Sequence, residues 1–247
     1  MTRSSEQAST LAARLRALGL EPVVVPAIEL TEPSSFAGLD DALAQLDGFD
    51  WVLFTSANAV EVFQRRVKSR AIRAKVAAIG PATARALEAA EFRVELVPSV
   101  AVAEAFAEAL LPYVRQPDRR ATRFLLMRAE KGREELPEAL RSAGAEVTIA
   151  AAYRTTVPQA SIAQIRELFR DPDMCPDVIT FTSSSSARNL LALCEAAGVA
   201  LPPDAVRVSI GPITSETLRE IGYPPHAEAL SASMESMAQA VLDALAG

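Results

Sequence analysis

The chain repeats itself in rotated order, which restricts it to folds built from two like units. Residues 50–56 (Asp-Trp-Val-Leu-Phe-Thr-Ser) recur as residues 177–183 (Asp-Val-Ile-Thr-Phe-Thr-Ser), an offset of 127. Residues 79–83 (Ile-Gly-Pro-Ala-Thr) recur as 210–214 (Ile-Gly-Pro-Ile-Thr) at an offset of 131, with Leu87 falling on Leu218. A third match runs the other way. Arg3, Leu11, Leu15, Arg16, Gly19 and Glu21 fall on Arg128, Leu136, Leu140, Arg141, Gly144 and Glu146, all at an offset of 125. The last part of one copy is therefore repeated at the start of the chain. One copy spans residues 33–150, and the other is discontinuous, joining 1–26 to 156–247. Residues 27–32 and 151–155 are left as crossings, expected to be extended and to pair as a two-stranded linker with hinge character.

Within each copy short apolar runs alternate with stretches of helical period. Strands are expected at 22–26, 51–54, 76–79, 94–97, 123–127, 147–151, 178–181, 206–210 and 227–230. Helices are expected between them, among others at 6–18, 82–90, 102–114, 134–143, 184–196, 214–221 and 234–245. Such alternation implies parallel sheets covered on both faces, so the expected fold is α/β, two similar doubly wound parallel-sheet domains with one discontinuous. Residues 123–127 precede Arg128, but only Met1 and Thr2 precede Arg3. The first strand of the discontinuous copy is therefore expected to be short by about four residues.

Composition closes off several kinds of chemistry. The net charge of −6 argues against a nucleic-acid partner, because phosphate backbones need a basic surface. Only Lys68, Lys75 and Lys131 of the 25 basic residues are lysines. Arginine forks suit carboxylates, although a GC-rich genome gives the same bias. No run of about 18 apolar residues appears, so no membrane span is expected. The polar N-terminus has no apolar secretory core, and Cys175 and Cys194 are the only cysteines, so a reducing cytoplasm is the expected compartment. With His226 as the sole histidine, neither a Ser-His-Asp triad nor a histidine-rich metal site can be assembled. A strand-end or surface role is expected for His226. No glycine-rich nucleotide fingerprint occurs, and no metal or organic cofactor is expected. Without a heptad seam, the chain is expected to be a monomer.

What remains is a set of helix starts. Thr55-Ser56 and Thr182-Ser183 place hydroxyls at N-cap positions. Gly80-Pro81 and Gly211-Pro212 open helices whose first turns carry Thr83 and Thr214. Helix starts beyond the carboxyl ends of parallel strands offer N–H groups and a positive dipole end to carboxylates or phosphates. The same residues also serve as plain helix caps, and sequence alone does not separate the two roles. The run Ser183–Ser186 has no base beside it and is read as a hydrogen-bonding cluster. Tyr153 lies in a crossing, where its phenol suits either donation to a leaving oxygen or hinge packing.

Taken in order, Phe54-Thr-Ser-Ala-Asn58, Ile79-Gly-Pro-Ala-Thr83, the spacing Arg128, Gly132, Arg133, Ala152-Tyr-Arg-Thr155, Phe181-Thr-Ser-Ser-Ser185 and Ile210-Gly-Pro-Ile-Thr214 resemble the uroporphyrinogen-III synthase family. With Thr2-Arg3 the resemblance covers nearly the whole chain. Ser185-Ser186 stand where relatives often carry glycine. The resemblance implies a lyase of haem biosynthesis acting on hydroxymethylbilane, a linear tetrapyrrole with eight carboxylates. Its hydroxyl leaves, the terminal ring inverts through a spiro intermediate, and the macrocycle closes without a cofactor. By the same resemblance Tyr153 assists the departing hydroxyl, and Arg3, Ser56, Asn58, Thr83, Arg128, Ser183, Ser184 and Thr214 bind the substrate's acetates and propionates. Structural ion pairing is the alternative for Arg3 and Arg128. A non-catalytic two-lobed binder of a polycarboxylate or tetrapyrrole is the alternative function.

Overall fold

A computed structural model describes residues 5–68, 72–114, 121–171 and 173–246. These gather into two compact units. One comprises the residues up to Glu29 together with those from Thr156 onward, and the other comprises Leu30–Thr155.

In the continuous unit a six-stranded sheet is built from β1 (Glu29–Thr31), β2 (Trp51–Phe54), β3 (Lys75–Ala78), β4 (Val94–Leu96), β5 (Arg123–Ala129) and β6 (Glu146–Thr156), in the order β1-β6-β5-β2-β3-β4. β2 runs parallel to both β3 and β5, and β5 runs parallel to β6. The central strands are unbroken apolar runs because both of their faces are covered. Val52, Leu53 and Phe54 are fully buried. Alternate residues belong to different cores, as the two-residue period of a strand requires. Val52, Phe54, Val76, Leu125 and Met127 pack against α2 (Ala37–Ala44), α3 (Ala57–Arg66) and α4 (Pro81–Ala89), through Leu39, Phe63 and Leu87. Trp51, Leu53, Phe124 and Leu126 face α5 (Ala103–Leu110) and α6 (Glu135–Ser142), through Phe106, Leu110, Leu136 and Leu140. Each such large apolar side chain contributes about 1.5–3 kcal/mol on burial.

The discontinuous unit has a smaller described sheet. β7 (Val178–Phe181), β8 (Val206–Ser209) and β9 (Ala227–Glu228) are parallel neighbours in that order. α7 (Gln159–Arg170), α8 (Ser184–Ala197) and α9 (Pro212–Glu220) pack against Ile179 and Phe181. α1 (Ser5–Ala17) and α10 (Met234–Ala246) cover Val208 and Ala229 on the other side.

One expectation needs correction. Residues 22–26 form no strand. Pro22 and Pro26 have no N–H to give to a ladder at either end of that run. Val25 and Ala27 are instead buried among Ile165, Phe181 and their neighbours. Residues 151–155 are extended, as the last part of β6, which runs unbroken from Glu146 to Thr156. β1 lies beside it as the sheet's edge, and Arg154 Nε donates to the Thr31 hydroxyl at 3.2 Å.

Candidate functional site

The parallel register brings four strand ends of the continuous unit to one edge. Phe54 stands opposite Ala78 and Met127, and Ala129 stands opposite Tyr153. Ser56, two residues beyond β2, is the N-cap of α3 and accepts a hydrogen bond from the Ala59 N–H at 3.2 Å. It accepts a second from the Tyr153 hydroxyl at 3.1 Å. Both acceptor positions of the serine oxygen are then engaged, which leaves its own proton to donate. The Tyr153 backbone is fixed in turn, its carbonyl accepting from the Glu130 N–H at 2.7 Å. The Ser34 hydroxyl, and with it the Ser34 N–H at 3.2 Å, hydrogen-bond the Glu130 carboxyl and hold it below the usual carboxylate range.

A cavity of about 340 Å³ opens at this edge, lined by Thr55, Ala101, Val102, Arg128, Gly132 and Tyr153 among others. Arg128 is buried in its wall, 7% exposed. Its Nη1 donates to the Arg133 carbonyl at 2.6 Å and its Nη2 donates to the Glu134 carboxylate. The spacing of Arg128, Gly132 and Arg133 is thereby explained. The loop turns back so that the Arg133 carbonyl meets the guanidinium, and a Cβ on Gly132 would come within 3.3 Å of Arg128 Cδ.

The remaining candidates of this unit are less alike than their motifs. Asn58, in the first turn of α3, lines a second cavity of about 320 Å³ with Glu61, Arg65 and Tyr153. Thr83 is only 5% exposed within α4, whereas Pro81 and Ala82 before it are exposed. Gly80 caps α4 in extended backbone, and its hydrogen side faces Ala101, whose Cβ would lie 2.6 Å from an added Cβ.

In the discontinuous unit Ser183 and Ser186 form a capping box at the start of α8. Ser183 Oγ accepts from the Ser186 N–H at 3.1 Å and lies 3.0 Å from Ser185 Oγ. Ser184 joins two helix starts, donating to the Ile213 carbonyl at 3.3 Å and accepting from the Thr217 hydroxyl at 2.8 Å. Thr214 is 4% exposed. Beneath it Ser209 and Ser215 are fully buried with hydroxyls 2.6 Å apart, and Ser215 donates to the Glu228 carboxylate. Arg3 lies outside the described residues.

Other groups lend themselves to less. Burial pushes the Cys194 thiol up to about 11, far from a nucleophilic thiolate. His226 sits just before β9, its Nδ1 accepting from the Arg207 N–H at 2.9 Å. Among the described residues no group of three or more His, Cys, Asp or Glu could hold a metal ion. Reasoning from sequence did not single out Thr217, Glu134 or the start of α5 at Val102 as parts of a site. Their places depend on contacts that no local motif announces.

The family profile described as Uroporphyrinogen-III synthase HemD matches residues 9–239. The uroporphyrinogen-III synthase of Synechococcus elongatus is 32% identical over 256 aligned residues, spanning 97% of this chain and 92% of that protein. Among solved structures, a mutant uroporphyrinogen III synthase of Thermus thermophilus has the same fold, with a TM-score of 0.64 and 22% identity over 98% of this chain and 96% of that one. The uroporphyrinogen-III synthetase of Helicobacter pylori 26695 aligns with a TM-score of 0.56 and 19% identity over 90% of this chain and 92% of its own. The chain belongs to the uroporphyrinogen-III synthase family.

Proposed function

We propose that this protein is a uroporphyrinogen-III synthase, closing hydroxymethylbilane to uroporphyrinogen III with loss of water and inversion of the terminal pyrrole. The observation that carries the reading is the Tyr153 hydroxyl, held 3.1 Å from Ser56 at the carboxyl edge of a parallel sheet in a member of this family.

The chemistry asks little of a protein in acid–base strength. A hydroxymethylpyrrole ionises readily because the ring nitrogen delocalises the resulting cation. Tyr153 turns its proton from Ser56 to the departing oxygen, so that the C–O bond breaks and water leaves; the Ser56 hydroxyl then hydrogen-bonds the phenolate, which recovers a proton when the ring that has attacked loses one. Unassisted closure gives the uninverted ring, so the protein's main contribution is to hold the chain folded while the terminal ring attacks through its substituted carbon. The helix starts of α3, α4, α8 and α9, with Ser56, Asn58, Ser184 and the amides near Thr83 and Thr214, are proposed to receive acetates and propionates. Ser183 takes part through the helix it caps. Arg128, and Arg3 at its repeat-equivalent position, are proposed to supply positive charge.

The finer biology is proposed as a cytoplasmic monomer acting without nucleic acid or membrane. The net charge of −6 supports this, as does the finding that no helix among the described residues is long and apolar enough to cross a membrane. The test is to supply hydroxymethylbilane, oxidise the products and separate the porphyrin isomers. A predominance of the ring-inverted isomer is expected; only the symmetric isomer, as in buffer, overturns the proposal and leaves a binding protein.

A further inference from the structure

Helix α5 begins without a cap. Its N-cap residue, Val102, is in extended backbone and makes no side-chain cap hydrogen bond. Valine is a poor residue there because it has no oxygen to offer. The first-turn amides are thus left to solvent or to a ligand, at the positive end of the helix. The repeat supplies a direct comparison. At the offset of 131 Val102 falls on Ser233, and Ser233 Oγ accepts from the Ser236 N–H at 3.1 Å at the start of α10. One copy of this helix start is closed by its own serine. The other is open.

The open start lines the 340 Å³ cavity that Arg128 and Tyr153 also line. Arg128 Nε is enclosed and has no hydrogen-bond partner among the described residues, although Nη1 and Nη2 are satisfied. A buried guanidinium N–H without an acceptor is costly, and an acceptor arriving from outside relieves it. Gly132 keeps the space beside that edge clear, since a Cβ there would lie 3.5 Å from Nε. Uncapped amides and an unmet guanidinium donor in one wall describe a receptor for a single carboxylate.

We propose that this cavity is a carboxylate subsite, taking one acetate or propionate of the substrate between the first-turn amides of α5 and Arg128. The inference rests on the activity proposed above and adds the ring that is gripped. Pockets for whole ligands run from about 300 to 1,000 Å³, so this one suits a single pyrrole and its side chain. Because Tyr153 lines the same cavity, the ring is the one that carries the hydroxymethyl group.

The test is to put an oxygen where the carboxylate would sit. Val102→Ser copies the closure of α10, and Val102→Asp adds a negative charge. Both variants should raise the melting temperature, because they cap α5. Both should weaken ligand binding, KM for hydroxymethylbilane rising severalfold for serine and about tenfold for aspartate. Titration with uroporphyrin, a stable octacarboxylate, reads binding without turnover and should show the same order. Higher stability with weaker binding is the supporting result, and a structural role alone would not give it. Unchanged KM and uroporphyrin affinity in both variants overturn the subsite. Failure of the wild-type chain to make the inverted isomer overturns the activity instead, and the uroporphyrin titrations still decide the subsite.

Discussion

Tyr153 and Ser56, 97 positions apart, are joined by a hydrogen bond of 3.1 Å, and the same serine oxygen caps α3 through the Ala59 N–H. The phenol is therefore aimed by a group that is itself fixed by a helix start. This geometry separates aiming from binding. Tyr153→Phe keeps the ring packed and removes only the hydroxyl, so kcat should fall by about 100-fold while KM stays within about twofold. Ser56→Ala keeps the phenol but releases it, and also removes the cap at about 1 kcal/mol. Its kcat should fall between wild type and Tyr153→Phe. Steady-state rates on hydroxymethylbilane check both, and equal kcat in wild type and Tyr153→Phe would remove Tyr153 from the mechanism.

The two Gly-Pro helix starts look alike in sequence and differ in tolerance. Both glycines are in extended backbone, with φ of −172° at Gly80 and 165° at Gly211, so neither is required by its dihedral angle. An added Cβ at Gly80 would lie 2.6 Å from Ala101 Cβ, whereas at Gly211 nothing lies within 4 Å. Gly80→Ala should cost about 1–3 kcal/mol, because the loop carrying Ala101 has to move. Gly211→Ala should change stability by no more than about 0.5 kcal/mol. Urea unfolding of the two variants side by side measures the difference, and equal losses would refute the close approach at Gly80.

Arg128 and Glu134 form an asymmetric pair, with side chains 9% and 49% exposed. Removing the arginine leaves a carboxylate that water can reach. Removing the glutamate leaves an enclosed guanidinium with the Arg133 carbonyl as its remaining partner. Glu134→Ala should therefore destabilise by about 2 kcal/mol, short of a fully buried pair because half of the carboxylate is already in water. Adding Arg128→Met to Glu134→Ala should recover part of that loss. A double-mutant cycle by urea unfolding tests this, and strict additivity would show that the two side chains are uncoupled.

The repeat made the strand–helix frame legible because central parallel strands are buried on both faces and so are written as short apolar runs. Residues 51–54 and 178–181 are strands with the expected bounds. Residues 22–26 carried the same apolar signal, but two prolines without N–H groups keep them out of the ladder. The site was legible as motifs and not as roles. Ser56 and Ser183 are both N-caps in equivalent strings, yet only Ser56 meets a tyrosine. Thr83 and Thr214 lie in the first turns of α4 and α9 as expected, but both residues are nearly enclosed. Val102 carried a signal that was missed: a valine where the repeat has a serine marks an open helix start.

The core of the discontinuous unit carries a pH dependence that can be isolated at one atom. Cys194, 3% exposed within α8, packs with Ile165, Leu193 and Ala197. Burial raises its thiol from 9.0 to about 11. The unfolded chain therefore loses this proton near pH 9, while the folded chain keeps it until about pH 11. Between those values the folded state holds more protons, and stability falls as pH rises. The loss approaches about 2–3 kcal/mol across the window, since each tenfold change in an acidity constant corresponds to roughly 1.4 kcal/mol. Below pH 9 the thiol contributes no slope. Cys194→Ala lacks the titrating group and should be the less stable protein at pH 8, through lost packing, yet fall less steeply above pH 9. Other groups titrate in this range, Cys175 among them, but they are common to both proteins and cancel in the comparison. Urea unfolding at pH 8, 9, 10 and 11 gives the two curves, and curves that stay parallel throughout would show that the thiol ionises in the folded protein as easily as in the unfolded chain.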